Sequence, residues 1–223
     1  MRWNQSLIAL VTLLLLSGLS ITVWQWQRRS LASATLDCTA ADLAPLTVTP
    51  PLHQPTDPKT WLNRDRPLRE LLPTAINSSQ TSILIEKSKY RLTLYYNQQS
   101  IKSYPVVFGD PVGDKLREGD RKTPEGIFKL RDLYPHPEWS KFLWIDYPNA
   151  TSRQKHCQAR SQGTIPPNVG IGGEVGIHGV PAGRDAWIDQ RVNWTLGCPA
   201  LKNQDVDEIY AVVQVGTTVE IVP

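Results

Sequence analysis

One histidine and one cysteine, each beside a glycine, are the side chains of this sequence best suited to covalent chemistry. His178 lies in Gly-Ile-His-Gly at 176–179, and Cys198 lies in Thr-Leu-Gly-Cys-Pro-Ala at 195–200. A thiol attacks a carbonyl carbon as the thiolate, and a free cysteine has a pKa of about 8.5. A neighbouring imidazole can take the thiol proton and later return it to an amine. The two motifs therefore predict Cys198 as a nucleophile and His178 as its base.

The two glycines indicate how this pair is assisted. Gly179 lets the backbone approach His178 closely, and its carbonyl oxygen can fix the imidazole tautomer in place of a carboxylate. Gly197 permits backbone angles that other residues avoid. The N–H groups of Gly197 and Cys198 can then point at one oxyanion, often the largest contribution to acyl-transfer catalysis. We therefore expect Gly179 and Gly197 in the catalytic site.

Short alternating segments predict that β-strands hold these residues. Residues 90–96 place Leu92 and Leu94 on one face and charged or polar side chains on the other, which is the period of a strand. Pro105 favours an edge or a bulge for the third strand. The predicted strands cover 82–86, 90–96, 100–108, 126–131, 142–146, 174–178 and 217–222.

One helix is predicted near the end of the chain, over 204–214. Asn203 is expected to cap it, and acidic residues in its first turn suit the positive end of a helix. Many strands with turn signals between them and one or two short helices predict a mainly β fold, a sandwich or a barrel.

The N-terminus predicts export. Residues 7–24 carry no charge and reach the lower length limit for crossing a bilayer. Residues 1–34 therefore predict either a signal anchor, with a membrane helix, or a signal peptide cleaved after Ala32-Ser33-Ala34. The anchor is favoured because Arg28 and Arg29 intervene before that cleavage site. Prolines recur over 35–80, which indicates a linker with a short helix near 64–72.

Charge excludes a nucleic-acid partner. Arg2, Arg28 and Arg29 are the only charged side chains before Asp37, and without them 21 basic residues face 21 acidic ones. The exported part is therefore nearly neutral, and nothing in its charge points to a nucleic-acid partner. The sequence leaves the oligomeric state open.

The chain has an odd number of cysteines, so they cannot all pair within one chain: Cys38, Cys157 and Cys198. Residues 150–168 are polar and predict a loop in which Cys157 is an exposed thiol, with pairing to Cys38 as the alternative. A metal site of His156, Cys157, His178 and Cys198 is disfavoured, because no CxxC or HxxxH spacing supports it. We therefore expect neither a metal nor another cofactor.

Residues 82–222 resemble the L,D-transpeptidase catalytic domain, also called the YkuD domain, and we place the domain at 81–223. The family pattern is His-Gly, a gap, and then Ser/Thr-x-Gly-Cys, which His178-Gly179 and Thr195-Leu196-Gly197-Cys198 match. Thr-Pro-Glu-Gly-Ile-Phe at 123–128 matches a family turn and strand, and Tyr-Pro-Val-Val-Phe-Gly at 104–109 matches the preceding strand. The four matches occur in the family's order.

The resemblance implies an activity on peptidoglycan stem peptides. Cys198 would attack the carbonyl of the L-centre of diaminopimelate, and D-alanine would leave with a proton from His178. A second amine would resolve the thioester and form a 3-3 cross-link or attach a protein, whereas water would hydrolyse it. A wall-binding module with an inert Cys198 is the non-enzymatic alternative.

One departure bears on the choice between transfer and hydrolysis. The family has an aliphatic residue and an arginine after the cysteine, whereas this chain has Pro199 and Ala200, like a sub-branch whose members can be hydrolases. Arg184 or Arg191 is then expected to bind stem-peptide carboxylates, with plain surface charge as the alternative. Thr195 and Trp194 are also expected at the substrate site, although core packing explains Trp194 equally well.

Overall fold

The computed structural model describes residues 38–47, 49–54, 57, 60–110 and 112–223. The predicted signal anchor or signal peptide at 1–34, with its membrane helix, lies outside these residues. Among the residues that are described, no helix has the length and apolar character needed to cross a membrane.

Seven strands form one mixed sheet in the order β3-β2-β1-β7-β4-β5-β6. β1 runs parallel to β7, and the other neighbouring strands are antiparallel. The strands are β1 Thr81–Glu86, β2 Arg91–Tyr96, β3 Gln99–Pro105, β4 Gly126–His136, β5 Ser140–Ile145, β6 Gly176–His178 and β7 Thr218–Val222. The prediction of a mainly β fold is confirmed, and all seven predicted strands are found.

β1 and β2 are buried along almost their whole length, and one face of the pair is apolar. Ile83, Ile85, Leu92 and Leu94 are fully enclosed in one core. Burying such a side chain contributes about 1.5–3 kcal/mol relative to leaving it in water. These strands form the rigid base on which the functional loops rest.

The sheet bends at β4. Residues 126–129 of β4 pair with β7, whereas residues 130–136 pair with β5. The register shifts between Leu130 and Asp132, where the strand exchanges one partner for the other. An irregularity of this kind bends a strand, so the β4–β5 hairpin turns away from the central strands.

Two bridges join the remaining edges of the sheet through the segment after Cys198. Ala200 exchanges backbone hydrogen bonds of 2.9 and 2.8 Å with Val107, just beyond β3. Ala200 also forms a parallel bridge with His178, the last residue of β6. The result is one curled sheet, closed by the segment that carries the predicted nucleophile, and not the two stacked sheets of a sandwich.

The longest helix among the described residues lies where the sequence predicted a polar loop. The helices of this described part are α1 Ala150–Ser161, α2 Ala186–Asp189 and α3 Asn203–Tyr210. The loop prediction for 150–168 is therefore wrong over α1. The buried positions of α1 are small or polar and give no apolar periodicity: Ser152, His156, Cys157 and Ala159.

Cys157 is not the exposed thiol that the sequence predicted. It is buried in α1 and forms a disulfide with Cys38. The alternative pairing is therefore the correct one. It also takes Cys157 out of any metal site shared with Cys198.

Asn203 does not cap α3. The N-cap residue is Lys202, whose side chain makes no capping hydrogen bond. Oδ1 of Asn203 instead accepts a hydrogen bond from the N–H of Val180 at 3.0 Å. Val206 and Ile209 of α3 are fully buried.

The described part of the Pro-rich segment contacts the domain. His53 is buried with its Nδ1 2.7 Å from Oε2 of Glu220, and the N–H of Leu68 donates to Glu208 at 3.0 Å. The helix predicted near 64–72 is shortened to a 3-10 turn. Such turns lie at Ala41–Leu43, Leu68–Glu70 and Ser78–Gln80, and another follows β1 at Lys87–Lys89.

Candidate active site

Backbone pairing brings His178 and Cys198 together. The N–H of His178 donates to the carbonyl of Pro199 at 3.2 Å, and the His178 carbonyl accepts from the N–H of Leu201 at 2.9 Å. Cys198 directly precedes this paired segment, and both side chains line the same cavity. The fold thus places the predicted nucleophile and the predicted base on adjacent segments.

The environment of His178 fixes both its tautomer and its orientation. Nδ1 lies 2.6 Å from the carbonyl oxygen of Gly179, and a carbonyl only accepts, so Nδ1 carries the proton. Nε2 of the neutral ring is then free to accept a proton. The ring stacks on Trp139 at 4.5 Å and on Phe142 at 5.8 Å, and Trp194 meets it edge-on at 5.6 Å.

The same enclosure keeps His178 neutral. Burial lowers the pKa of His178 to about 4, although the hydrogen bond to Gly179 opposes this shift, and His136 adds a smaller lowering effect. A charged imidazole is therefore disfavoured over the whole neutral range. The ring rests in the state that accepts a proton.

Cys198 is also held in its neutral form. Burial raises the pKa of Cys198 to about 11, while a hydrogen bond from the Gly176 backbone and the charge of Lys115 act in the opposite direction. Sγ lies 3.7 Å from the carbonyl oxygen of Glu174, to which the thiol donates. At pH 7 the pair is thus a thiol beside a neutral imidazole, and the proton has to move during attack.

Gly179 is required by close packing. A Cβ atom at this position would lie 2.0 Å from Oδ1 of Asn203 and 2.6 Å from the carbonyl oxygen of Trp139. The N–H of Gly179 donates to the same Trp139 carbonyl at 3.0 Å. Any side chain here would therefore push apart the backbone that orients His178.

Gly197 is required by both conformation and space. Its φ is +133°, and a Cβ atom would lie 2.6 Å from the carbonyl oxygen of Lys122. The Gly197 carbonyl accepts a hydrogen bond from Oγ1 of Thr123 at 2.8 Å. The Thr-Pro-Glu-Gly motif thus begins with the residue that fixes the loop before Cys198.

Thr195 is a buried part of the nucleophile loop. Its hydroxyl donates to the carbonyl of Cys198 at 2.7 Å and accepts from the N–H of Gly197 at 3.2 Å. The hydroxyl is therefore already engaged within the loop, which differs from the expected role in binding substrate. One of the two N–H donors predicted for an oxyanion also has a partner within the loop.

The cavity at Cys198 has a volume of about 930 Å³. Aromatic rings from the β4–β5 hairpin form one part of its wall, and charged residues of two loops form another. The lining residues are Lys115, Glu118, Gly119, Arg121, Tyr134, His136, Trp139, Phe142, Trp144, Gly172, Gly173, Glu174, Val175, His178, Trp194, Thr195, Leu196, Gly197 and Cys198.

The remaining predicted substrate residues divide between cavity and surface. Trp194 lines the cavity, as expected. Arg184 and Arg191 are exposed and do not line it. Arg184 lies over the ring of Trp187 at 5.1 Å, and Arg191 lies over Tyr90 at 5.0 Å. The structure does not bring these two arginines to the cavity.

The charged residues that line the cavity were not predicted from the sequence. Lys115 is buried and bonded to Asp120 at 2.9 Å, whereas Glu118, Arg121 and Glu174 are exposed. Arg121 lies two residues before the Thr-Pro-Glu-Gly motif, and Glu174 lies four residues before His178. Their closeness to the motifs in the sequence was the available signal, but it does not say where their side chains point.

Comparison with known proteins places the chain in a family. Residues 80–221 match the family model described as YkuD, the L,D-transpeptidase catalytic domain. The Escherichia coli protein named "Putative L,D-transpeptidase YafK" is 28% identical over 142 residues, which are 60% of this chain and 48% of that protein. The chain thus spans about half the length of the curated relatives that it matches.

Two solved structures are similar to part of this chain. The helical cell shape determining protein Pgp2 from Campylobacter jejuni is 26% identical, with a TM-score of 0.45, over 70% of this chain and 54% of that one. An L,D-transpeptidase from Mycobacterium smegmatis is 14% identical, with a TM-score of 0.43, over 65% of this chain and 59% of that one. Because the family model covers well over half of its residues, this chain belongs to the L,D-transpeptidase catalytic-domain family.

Proposed function

We propose that this protein is a peptidoglycan L,D-transpeptidase that forms a thioester on Cys198. The observation that carries the proposal is the pairing of His178 with the segment directly after Cys198, which places a thiol and an unprotonated Nε2 at one cavity. The family membership of residues 80–221 supports the same chemistry.

In the first step, the Cys198 thiol gives its proton to Nε2 of His178 as Sγ attacks a stem-peptide carbonyl. The tetrahedral intermediate then collapses, the carbon–nitrogen bond breaks, and the proton on Nε2 passes to the departing D-amino acid. Because both resting groups are neutral, attack and proton transfer occur together, and no ion pair has to be stored in a buried site.

In the second step, the amine of an acceptor stem attacks the thioester carbon. His178 takes the proton of that amine, and Cys198 leaves and recovers the proton. One amide bond has replaced another, so no cofactor or energy source is needed. The N–H of Cys198 stabilises the oxyanion in both steps. The N–H of Gly197 is the second donor, once it leaves the hydroxyl of Thr195 and turns to the oxyanion.

The location follows from the substrate. Peptidoglycan lies outside the cytoplasmic membrane, so the uncharged segment 7–24 is proposed to export the chain and to hold it in the membrane. The Cys38–Cys157 disulfide supports export, because such bonds persist in oxidising compartments.

The test is product analysis with purified tetrapeptide stems. Dimers joined through two diaminopimelate residues are expected, together with free D-alanine, and the Cys198→Ala variant should give neither. Unchanged tetrapeptides after incubation with the wild-type protein would refute the activity.

Hydrolysis is the second candidate, and one observation favours it. Pro199 and Ala200 stand where the family has an aliphatic residue and an arginine, and their backbone is used to close the sheet. An acceptor stem that lacks a cationic partner is positioned less well, whereas water needs no such partner. Tripeptides and D-alanine without dimers would establish hydrolysis.

A further inference from the structure

Three charged cavity residues have no side-chain partner in the described structure: Glu118, Arg121 and Glu174. Glu174 is the carboxylate whose backbone contacts Cys198. Arg121 and Glu174 line the cavity with exposed side chains, and neither side chain forms a hydrogen bond or ion pair with another described residue. Lys115, by contrast, is paired with Asp120 and also donates to the carbonyl of Arg117. An unpaired cation and an unpaired anion are therefore available to a ligand beside Cys198.

Arg121 and Glu174 are both held in an uncommon backbone conformation. Arg121 has a φ of 58° and Glu174 a φ of 55°. The left-handed region costs most residues about 1–2 kcal/mol, so such residues persist only where the surroundings enforce the conformation. Strained residues of this kind cluster at active sites and ligand sites, where the strained backbone holds a side chain in the direction that the ligand requires.

Hydrogen bonds tie each residue to the nucleophile. The carbonyl of Arg121 accepts from the N–H of Asp110 at 2.7 Å, and the residue after next, Thr123, bonds the carbonyl of Gly197 at 2.8 Å. The carbonyl of Glu174 accepts the thiol of Cys198 at 3.7 Å. The backbone of Glu174 thus contacts Sγ directly, and the backbone of Arg121 lies two residues from the threonine that holds the nucleophile loop.

Building on the proposed function, we propose that Arg121 and Glu174 determine specificity for the stem residue that Cys198 attacks. They select a residue whose side chain ends in a carboxylate and an ammonium group on one carbon, as in diaminopimelate. The guanidinium fork of Arg121 binds the carboxylate, and Glu174 accepts from the ammonium group. Arg121 thereby supplies a cation at the cavity from a different part of the chain than the family's arginine after the cysteine.

The test measures binding in the Cys198→Ala variant, which removes turnover. Calorimetry compares two tetrapeptide stems that differ only at the third residue, diaminopimelate or lysine. The diaminopimelate stem should bind about tenfold more tightly. Arg121→Gln should reduce its affinity about tenfold and leave the lysine stem unchanged, because lysine has no carboxylate there. Glu174→Gln should weaken both stems, because both carry the ammonium group.

Two matched controls are available. Arg191 also has a positive φ, 53°, but lies outside the cavity. Arg191→Gln therefore makes the same change of charge as Arg121→Gln, in the same backbone conformation. Glu70 is an exposed carboxylate away from the cavity, so Glu70→Gln is the control for Glu174. Both should leave affinities unchanged. Folding of each variant is checked in the Cys198 background by the rate at which a small neutral electrophile labels the thiol.

The outcomes separate this inference from the proposed activity. If Arg121→Gln lowers the affinity for both stems equally, the inference is overturned, because Arg121 would then bind the carboxylate of the departing residue. Wild-type turnover of both stems at equal rates would also overturn it, while the proposed activity would stand. An Arg121-dependent preference in binding without any wild-type turnover would support the inference and refute the activity.

Discussion

The hydroxyl of Thr195 donates to the carbonyl of Cys198 across 2.7 Å, so the nucleophile loop is closed on itself by one side chain. The same oxygen accepts the N–H of Gly197 at 3.2 Å. Thr195 therefore positions the thiol through the backbone, and this relationship gives the first prediction.

Thr195→Val should lower kcat about ten- to hundredfold with little change in KM, because small displacements of reacting groups have effects of that size. The free energy of unfolding should fall by about 1–3 kcal/mol, since two buried backbone groups lose their partner. Thr195→Ser keeps the hydroxyl and should restore both values. A selective rise in KM would instead indicate that Thr195 contacts the substrate, as the sequence suggested.

The pH profile of turnover should be flat from about pH 5 to pH 10. His178 must be neutral to accept a proton, and burial lowers its pKa to about 4, so activity should decline only near that pH. The alkaline limit follows from Cys198, whose pKa is raised to about 11. A midpoint near 6.5 in the rate profile would show that His178 is exposed to solvent when it acts.

His178→Ala should lower the rate about a hundredfold or more, as expected for loss of a general base. Its residual rate should rise about tenfold per pH unit up to the pKa of Cys198, because the thiolate must then come from solution. His136→Ala provides a comparison, because it removes a second histidine of the same cavity and should leave the flat profile in place. A flat profile in His178→Ala would exclude the residue as the base.

Stability should also report the state of His178. Its pKa is lower in the folded than in the unfolded protein, so the unfolded chain binds the proton more tightly. The His178 contribution to the free energy of unfolding is therefore complete above about pH 6.5 and is lost as the pH falls through about 4. Urea denaturation at several pH values should show this loss in the wild type and not in His178→Ala.

Removal of the disulfide should destabilise the domain without altering its chemistry. Cys38 and Cys157 are separated by 119 residues, and native disulfides of this kind contribute about 2–5 kcal/mol. The double variant Cys38→Ser, Cys157→Ser should therefore unfold at lower urea concentration, yet label at Cys198 with a carbapenem at the wild-type rate in the cold. Loss of labelling in folded protein would show that α1 controls the site.

The sequence predicted site residues well where the chemistry depends on residue type. It predicted them poorly where the chemistry depends on the direction in which a side chain points. The motif residues Cys198, His178, Gly179 and Gly197 could be predicted because each has a chemical or steric reason to be that residue. Arg121 and Glu174 were missed because nothing in a polar loop states where a side chain points.

The fold shows the same division. The strands were predicted because apolar residues alternate along them, as in 90–96. The helix α1 was missed because its buried face is built from Ser152, His156, Cys157 and Ala159, which resemble a solvated surface in sequence. Asn203 was predicted to cap the helix from its neighbours in the sequence, whereas its actual hydrogen-bond partner, Val180, is distant in the chain.

The bridges of Ala200 to Val107 and His178 have a consequence for how the protein loses activity on heating. In many enzymes the site lies on loops that open before the scaffold does, so activity is lost first. Here the residues after Cys198 join both edges of the sheet, and they cannot separate without opening the sheet itself. Thermal inactivation should therefore coincide with global unfolding, and the amide hydrogen of Ala200 should exchange with solvent as slowly as those of β1.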